Sequence, residues 1–335
     1  MTNSRTHMVF LICSERSGSN LITRIIDAHP DYCGPAPLHL IRTFSRNLFR
    51  YGDLKLDTNW KILVRDIVDL INAQLGIWAT SWNERKIIEG VTKRDFASIV
   101  RLIYEEEARA NGKRHIMIKE NRIHTFLPFI LINFPRAKFL YLVRDPRDMA
   151  LSWKLSPNHP GEIHSGARVW KEDQEKGIET IGFLNGTGRI HIIKYETLVS
   201  DGSLEVKGLC DFLGCSYHPS MLEYYRNDLT VKNAARLKNW SNLQKPLMSN
   251  NFNKYKTKLS GAEVKQIESI CKNEMKVFDY KLEFPDLNVS PAEYEIVKKN
   301  STNNISREQK PDTRETGIRE RRLNIINRIL NRELY

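Results

Sequence analysis

Arg16, Ser17, Gly18, Ser19 and Asn20 follow the apolar run Val9 to Cys13 after Ser14 and Glu15, and Leu21, Ile22, Ile25 and Ile26 then recur at helical spacing. A cation, two hydroxyls and a glycine between a buried strand and a helix suit the holding of an anion. The helix start offers free backbone N–H groups and a positive dipole end, the serines add donors, and Gly18 permits the tight turn that gathers them. A second set lies downstream. Phe139 to Val143 again reads as a buried strand, Arg144 leaves its end, Pro146 stands where a helix can start, and Ser152 lies about two turns along. Arg144 and Ser152 are therefore expected to share one phosphate. A Walker A loop needs a lysine after a second glycine, whereas the cation here precedes a single glycine, and no Asp-rich strand end marks a magnesium site. A nucleoside-triphosphate kinase or NTPase, or a non-catalytic nucleotide-binding protein, is the reading from a different class.

Positioning these residues takes a parallel sheet. The runs Val9 to Cys13, His115 to Lys119, Phe139 to Val143 and Arg189 to Tyr195 read as its strands, which predicts an α/β fold, a P-loop-like parallel sheet flanked by helices with helical insertions over the site. The insertion spans about residues 40–112, with helices over Thr58 to Leu75 and Thr92 to Ala110 and an aromatic turn from Gly76 to Trp82 between them. Trp78 and Trp82 either pack this helical pair or reach an acceptor. Residues 155–170, with Pro157, Pro160, Gly161 and Gly166, read as a loop over the site, followed by a helix from about Arg168 to Leu184. The expected division is a domain over 1–285, a flexible linker over 286–317, and an amphipathic helix over 318–335 with Leu323, Ile326, Leu330 and Leu334 on one face. Such a face is expected to dock on its own domain or in a homo-oligomer, with a partner protein or an anionic membrane surface as lesser readings.

The order of these motifs resembles the sulfotransferases that use 3′-phosphoadenosine 5′-phosphosulfate (PAPS), in particular the bacterial and tyrosylprotein-sulfotransferase-like branch. Arg16-Ser-Gly-Ser, Arg144-Asp-Pro-Arg-Asp with Ser152, Asp27-Ala-His-Pro-Asp, Lys194-Tyr-Glu-Thr-Leu-Val, Phe212-Leu-Gly, Lys245-Pro246 and Lys254-Tyr255 carry the likeness, over roughly residues 8–282. The resemblance implies that Arg16, Ser17, Gly18, Ser19 and Asn20 hold the 5′-phosphosulfate, that Arg144, Ser152 and Lys254 hold the 3′-phosphate, and that Tyr195 lies near the nucleotide. It also implies that Lys119 stands beside the sulfate and that 3′-phosphoadenosine 5′-phosphate (PAP) is the product. The transferred group carries a single negative charge, so Arg16, Lys119 and oriented N–H groups can stabilise transfer without a metal. The acceptor is expected to be a hydroxyl group of a small molecule, with an amine or guanidine second.

The general base departs from the family's pattern. One branch places a glutamate shortly after the His-Pro element, and that position is Pro37; another places a histidine two positions after the strand-end lysine, and that position is Asn121. His39 is the nearest titratable side chain to the first vacancy and is the expected base, with Glu120 or His124 as alternatives beside the second. An acceptor that needs no base is a further reading.

Composition frames the rest. The chain has 335 residues, 41% of them hydrophobic, and a net charge of +12, enough to bury a large core and suited to polyanionic ligands. The basic residues are spread along the chain without an RNA-binding aromatic signature, so nucleic acid is not the expected partner. Five cysteines without a Cys-x-x-Cys pair suit a reducing, cytoplasmic setting, and the nine histidines show no metal-ligand spacing. Met1 to His7 is too short and polar for a signal peptide, and no apolar run reaches the length of a membrane helix, so a soluble protein without stable membrane insertion is expected.

Overall fold

The computed structural model describes residues 6–156, 159, 163–236, 238–302 and 313–333. Strands Met8–Cys13 (β1), Tyr32–Cys33 (β2), His115–Lys119 (β3), Lys138–Val143 (β4) and Ile190–Lys194 (β5) form a parallel sheet in the order β2-β3-β1-β4-β5. In register, Phe10 stands beside Ile118 on β3 and Phe139 on β4. Successive β1 residues point to opposite faces, so the unbroken apolar run supplies two cores. Phe10 and Ile12 join Ile118, Phe139 and Tyr141 in the larger one; Val9 and Leu11 join Met117, Leu140 and Leu142 in the smaller. The expected α/β class is the one observed. β2 is the strand that hydropathy missed, because two residues carry no period.

β1 lies between β3 and β4, so the chain leaves β1 toward one side of the sheet and returns on the other. Crevices at such a switch point open at the carboxyl ends of the strands. Cys13, Lys119, Val143 and Lys194 are those ends, and each leads into or is one of the residues singled out above.

The insertion contains helices Leu40–Phe44, Asp57–Asn72, Glu84–Gly90 and Phe96–Ala110, the last capped by Asp95, which accepts from Ser98 N at 2.7 Å. Trp78 and Trp82 are buried in the larger core, with Trp78 Nε1 donating to Ala36 O and Trp82 Nε1 to Thr80 Oγ1. Of the two readings for these rings, packing is the one the structure favours.

Three expectations need correction. The helix placed from Arg168 runs from Ile163 to Leu184. Gly166 belongs to it because a Cβ there would come within 3.1 Å of Trp153 Cβ and 3.2 Å of Ala150 Cα, so the glycine serves close helix packing instead of a turn. Pro157, Pro160 and Gly161 lie outside the described residues.

Within 286–317, expected as a linker, helix Pro291–Thr302 forms. Ser290 N donates to Glu293 Oε2 and Glu293 N to Ser290 Oγ, a capping box that starts the helix despite its polar composition. Lys265 pairs with Glu293 at 3.3 Å and ties it to the domain.

The final helix, Thr313–Leu330, packs on Asp57–Asn72. Its buried face is Ile325 and Ile329, and Ile326 of the expected stripe packs partly buried against the core, whereas Leu323 and Leu330 are 55% and 45% exposed and Leu334 lies outside the described residues. Charge decides this rotation. Arg322 donates to the carbonyls of Leu38 and Leu70, Arg328 pairs with Asp66 and Asp69 at 2.8 and 2.6 Å, and Arg332 with Asp66 at 2.5 Å. Arg322 and Arg328 share a helical stripe with Ile325 and Ile329, and Arg332 follows just past the helix end.

Candidate functional site

The loop after β1 is shaped by its own polar groups. Ser17 Oγ donates to Ser14 O at 2.6 Å, and Gln174 Nε2 donates to Ser14 Oγ at 2.8 Å. Arg16 and Gly18 take the left-handed region, at φ 64° and 94°. At Gly18 no side chain fits, since a Cβ would lie 2.4 Å from Tyr195 Cδ2. Helix Ser19–Asp27 then starts with its free N–H groups at the loop.

Arg16 Nε donates to Ser152 Oγ at 3.1 Å, which joins the two segments that the sequence linked to anion binding. Arg144, at the end of β4, donates through Nη1 to Arg16 O at 3.0 Å and through Nη2 to Asn251 O at 3.4 Å. Its guanidinium lies over Tyr195, whose hydroxyl accepts from Asn251 Nδ2 at 2.6 Å. Asp148 accepts from the backbone N–H groups of Asn253 and Tyr255 at 2.6 and 3.0 Å and so fixes the segment that carries Lys254.

These groups surround a cleft of about 260 Å³. Arg16, Gly18, Ser19, Asn20, Arg144, Ser152, Tyr195 and Lys254 line it. Ser17 does not; it is buried, with its hydroxyl engaged by the loop itself. Asp148 and Asn251 also line the cleft and are not legible in the sequence, because Asp148 holds backbone far away in the chain and Asn251 meets Arg144 and Tyr195 from a distant segment.

The cleft is built for negative charge. Burial and the neighbouring Arg144 lower the pKa of Arg16, and Arg144 Nε is buried with no hydrogen-bond partner among the described residues. Two desolvated guanidinium groups that repel each other form a site that an anion relieves. Among the described residues no group of His, Cys, Asp and Glu is arranged to hold a metal ion.

Lys119 stands at the end of β3 and donates Nζ to Asn20 Oδ1, one side chain back from the cleft. Burial lowers its pKa to about 8. The candidate bases fall in different surroundings. Glu120 is fully buried and accepts from Ile41 N at 3.1 Å, Arg42 N at 2.8 Å and Tyr104 OH at 3.4 Å, so it caps helix Leu40–Phe44; burial pushes its pKa up to about 7. His124 lies 3.9 Å from Asp173, and burial pushes it down to about 4. His39 precedes helix Leu40–Phe44 at φ 60°, with Nδ1 buried and without a hydrogen-bond partner among the described residues. Burial, then the positive charges of Arg322, Arg42 and Lys119, hold its pKa well below the ordinary imidazole value. Asn121, at the other vacancy, donates Nδ2 to Glu15 Oε1 at 2.5 Å. Glu15 in turn meets His159, a pair that sequence spacing could not reveal across the 144 positions between them.

A sulfotransferase family model matches residues 8–219, and a sulfotransferase domain model matches residues 167–279. The chain belongs to the sulfotransferase family. This sulfotransferase is 22% identical over 233 residues to a protein-tyrosine sulfotransferase described from Caenorhabditis briggsae, covering 67% of this chain and 71% of the relative. Its fold is similar to the sulfotransferase domain of the Synechococcus PCC 7002 olefin synthase, with a TM-score of 0.57, 22% identity, and coverage of 84% of this chain and 98% of that one. The sulfotransferase domain from the curacin biosynthetic pathway is similar to the same degree, with a TM-score of 0.57, 20% identity, and coverage of 83% and 100%. Among the described residues of this sulfotransferase, no helix is long and apolar enough to cross a membrane.

Proposed function

We propose that this sulfotransferase moves a sulfuryl group from PAPS to a hydroxyl group of a small molecule, in line and without a metal. The observation that carries the reading is the convergence of three cations on one cleft, Arg16 in the loop before helix Ser19–Asp27, Arg144 at the end of β4, and Lys254. A donor with a phosphosulfate at one end and a separate phosphate at the other carries the anions that such a cluster of cations can hold. When bound, PAPS supplies the activated sulfuryl group.

The chain's own residues do the rest. Arg16, Ser19, Asn20 and the first N–H groups of the helix hold the end that reacts. Arg144, Ser152 and Lys254 hold the 3′-phosphate, and Tyr195 closes the wall beside Gly18. Lys119, a buried cation behind Asn20, stabilises charge as it moves onto the leaving phosphate. His39 and the insertion form the acceptor side.

Calorimetric titration with PAP in the presence of a chelator, set beside ATP with magnesium, tests this reading. Binding of PAP without metal is expected. Binding of ATP that depends on magnesium, with no affinity for PAP, would overturn it in favour of a phosphoryl-transfer enzyme.

A further inference from the structure

Glu15 directly precedes Arg16 in the loop after β1, and its side chain meets Asn121 and His159. Oε1 accepts from Asn121 Nδ2 at 2.5 Å, and Oε2 lies 2.6 Å from His159 Nε2. His159 Nδ1 lies 2.8 Å from Ser156 Oγ, and the ring stacks obliquely on Trp153 with centroids 4.3 Å apart. Trp153 is next to Ser152, the serine that bonds Arg16. The imidazole is thus tied through Glu15 and Trp153 to both anion-binding segments.

A carboxylate on one imidazole nitrogen fixes the tautomer and stabilises the imidazolium that forms when the other nitrogen takes a proton. With Nε2–H donated to Glu15, the lone pair of His159 is on Nδ1, where Ser156 Oγ now donates. An acceptor hydroxyl can make that same hydrogen bond. His39 has no such carboxylate partner among the described residues, and burial first, then Arg322, Arg42 and Lys119, disfavour a proton on it. Glu15 feels Arg42 and Lys119 as well, but its hydrogen bond with His159 is the largest influence and keeps it ionised below the usual carboxylate range.

Resting on the sulfuryl-transfer reading, we propose that His159 is the general base, acting through Nδ1, and that Glu15 and Asn121 are its positioning residues. His159 takes the acceptor's proton as the acceptor oxygen bonds to sulfur and the sulfur–oxygen bond to the nucleotide phosphate breaks. That phosphate oxygen keeps the electron pair, and the proton leaves His159 for solvent once product departs. The base is then supplied from the loop after helix Pro146–Lys154, and Asn121, in the position where another branch has a histidine, steers Glu15 instead.

Two measurements on the full chain test this. Long-range proton–nitrogen NMR of the imidazoles reads the tautomer without turnover; a protonated Nε2 and a bare Nδ1 are expected for His159, with the preference lost in Glu15→Gln. Sulfuryl transfer from radiolabelled PAPS to a panel of aliphatic alcohols, phenols and hydroxy acids reads the chemistry. His159→Ala and Glu15→Gln are expected to lower kcat by about 10²–10⁴-fold with PAP affinity and melting temperature unchanged, and His159→Ala to remove the acidic limb of kcat/KM. Near-normal kcat in His159→Ala, with the loss appearing in His39→Ala instead, would overturn the assignment while leaving the sulfotransferase reading intact. A wild-type chain that neither binds PAP nor transfers label would overturn the sulfuryl-transfer reading and this inference with it.

Discussion

The guanidinium of Arg144 lies 4.3 Å from the ring centroid of Tyr195, and the same guanidinium donates to the backbone carbonyl of Arg16. Stacking and hydrogen bonding fix its plane before any ligand arrives, while Nε has no partner among the described residues. Arg144→Ala should weaken PAP binding by about 2–4 kcal/mol, the loss of a charge-assisted contact to a doubly charged group. Arg144→Lys should recover little of it, since a lysine neither stacks nor forks. Calorimetry of the two variants checks this, and unchanged affinity in Arg144→Ala would place the 3′-phosphate elsewhere.

Asp148 offers a test whose sign is informative. By charge alone, removal of a carboxylate from a cleft that holds anions should tighten binding. Asp148 instead accepts from Asn253 N and Tyr255 N, so its loss frees the segment that presents Lys254. Asp148→Ala is expected to weaken PAP binding, and a tighter complex would show that the carboxylate acts only as a charge.

Lys119 sets a limit at high pH. Burial lowers its pKa from the ordinary lysine value to about 8, so the free enzyme loses this cation as pH rises through about 8 and keeps it below. kcat/KM for PAPS should fall on that alkaline limb, because this ratio reports the free enzyme. A bound anion favours the charged form, so the limb of kcat should lie at higher pH. Lys119→Arg should move the limb upward in kcat/KM; a profile identical to the wild type would assign the limb to another group.

The last helix can be probed at neighbouring positions. Ile329 is fully buried and Leu330 is 45% exposed. Ile329→Ala should cost about 2–5 kcal/mol in urea unfolding, whereas Leu330→Ala should stay within about 0.5 kcal/mol of the wild type. Equal effects would mean that the helix does not dock through the face described.

Local pattern carried much of this protein's design. β1 and β3 are buried throughout and β4 from Phe139 on, whereas β5 is buried only at Ile193, and Arg16, Arg144 and Tyr195 leave the carboxyl ends of β1, β4 and β5 within a few positions, so strand, loop and cation could be read together from Arg16 and Arg144. Other features depend on contacts between distant segments. Gly166 looks like a loop residue until Trp153 and Ala150 press against it, and helix Thr313–Leu330 turns its leucines outward because Asp66 and Asp69 hold its arginines. Glu120 caps a helix begun far upstream, and Glu15 meets a histidine far downstream. Hydrophobic period and turn chemistry are properties of neighbours in sequence, whereas the surroundings of a carboxylate or an imidazole are set by whichever segments fold against it, and that only the tertiary structure decided.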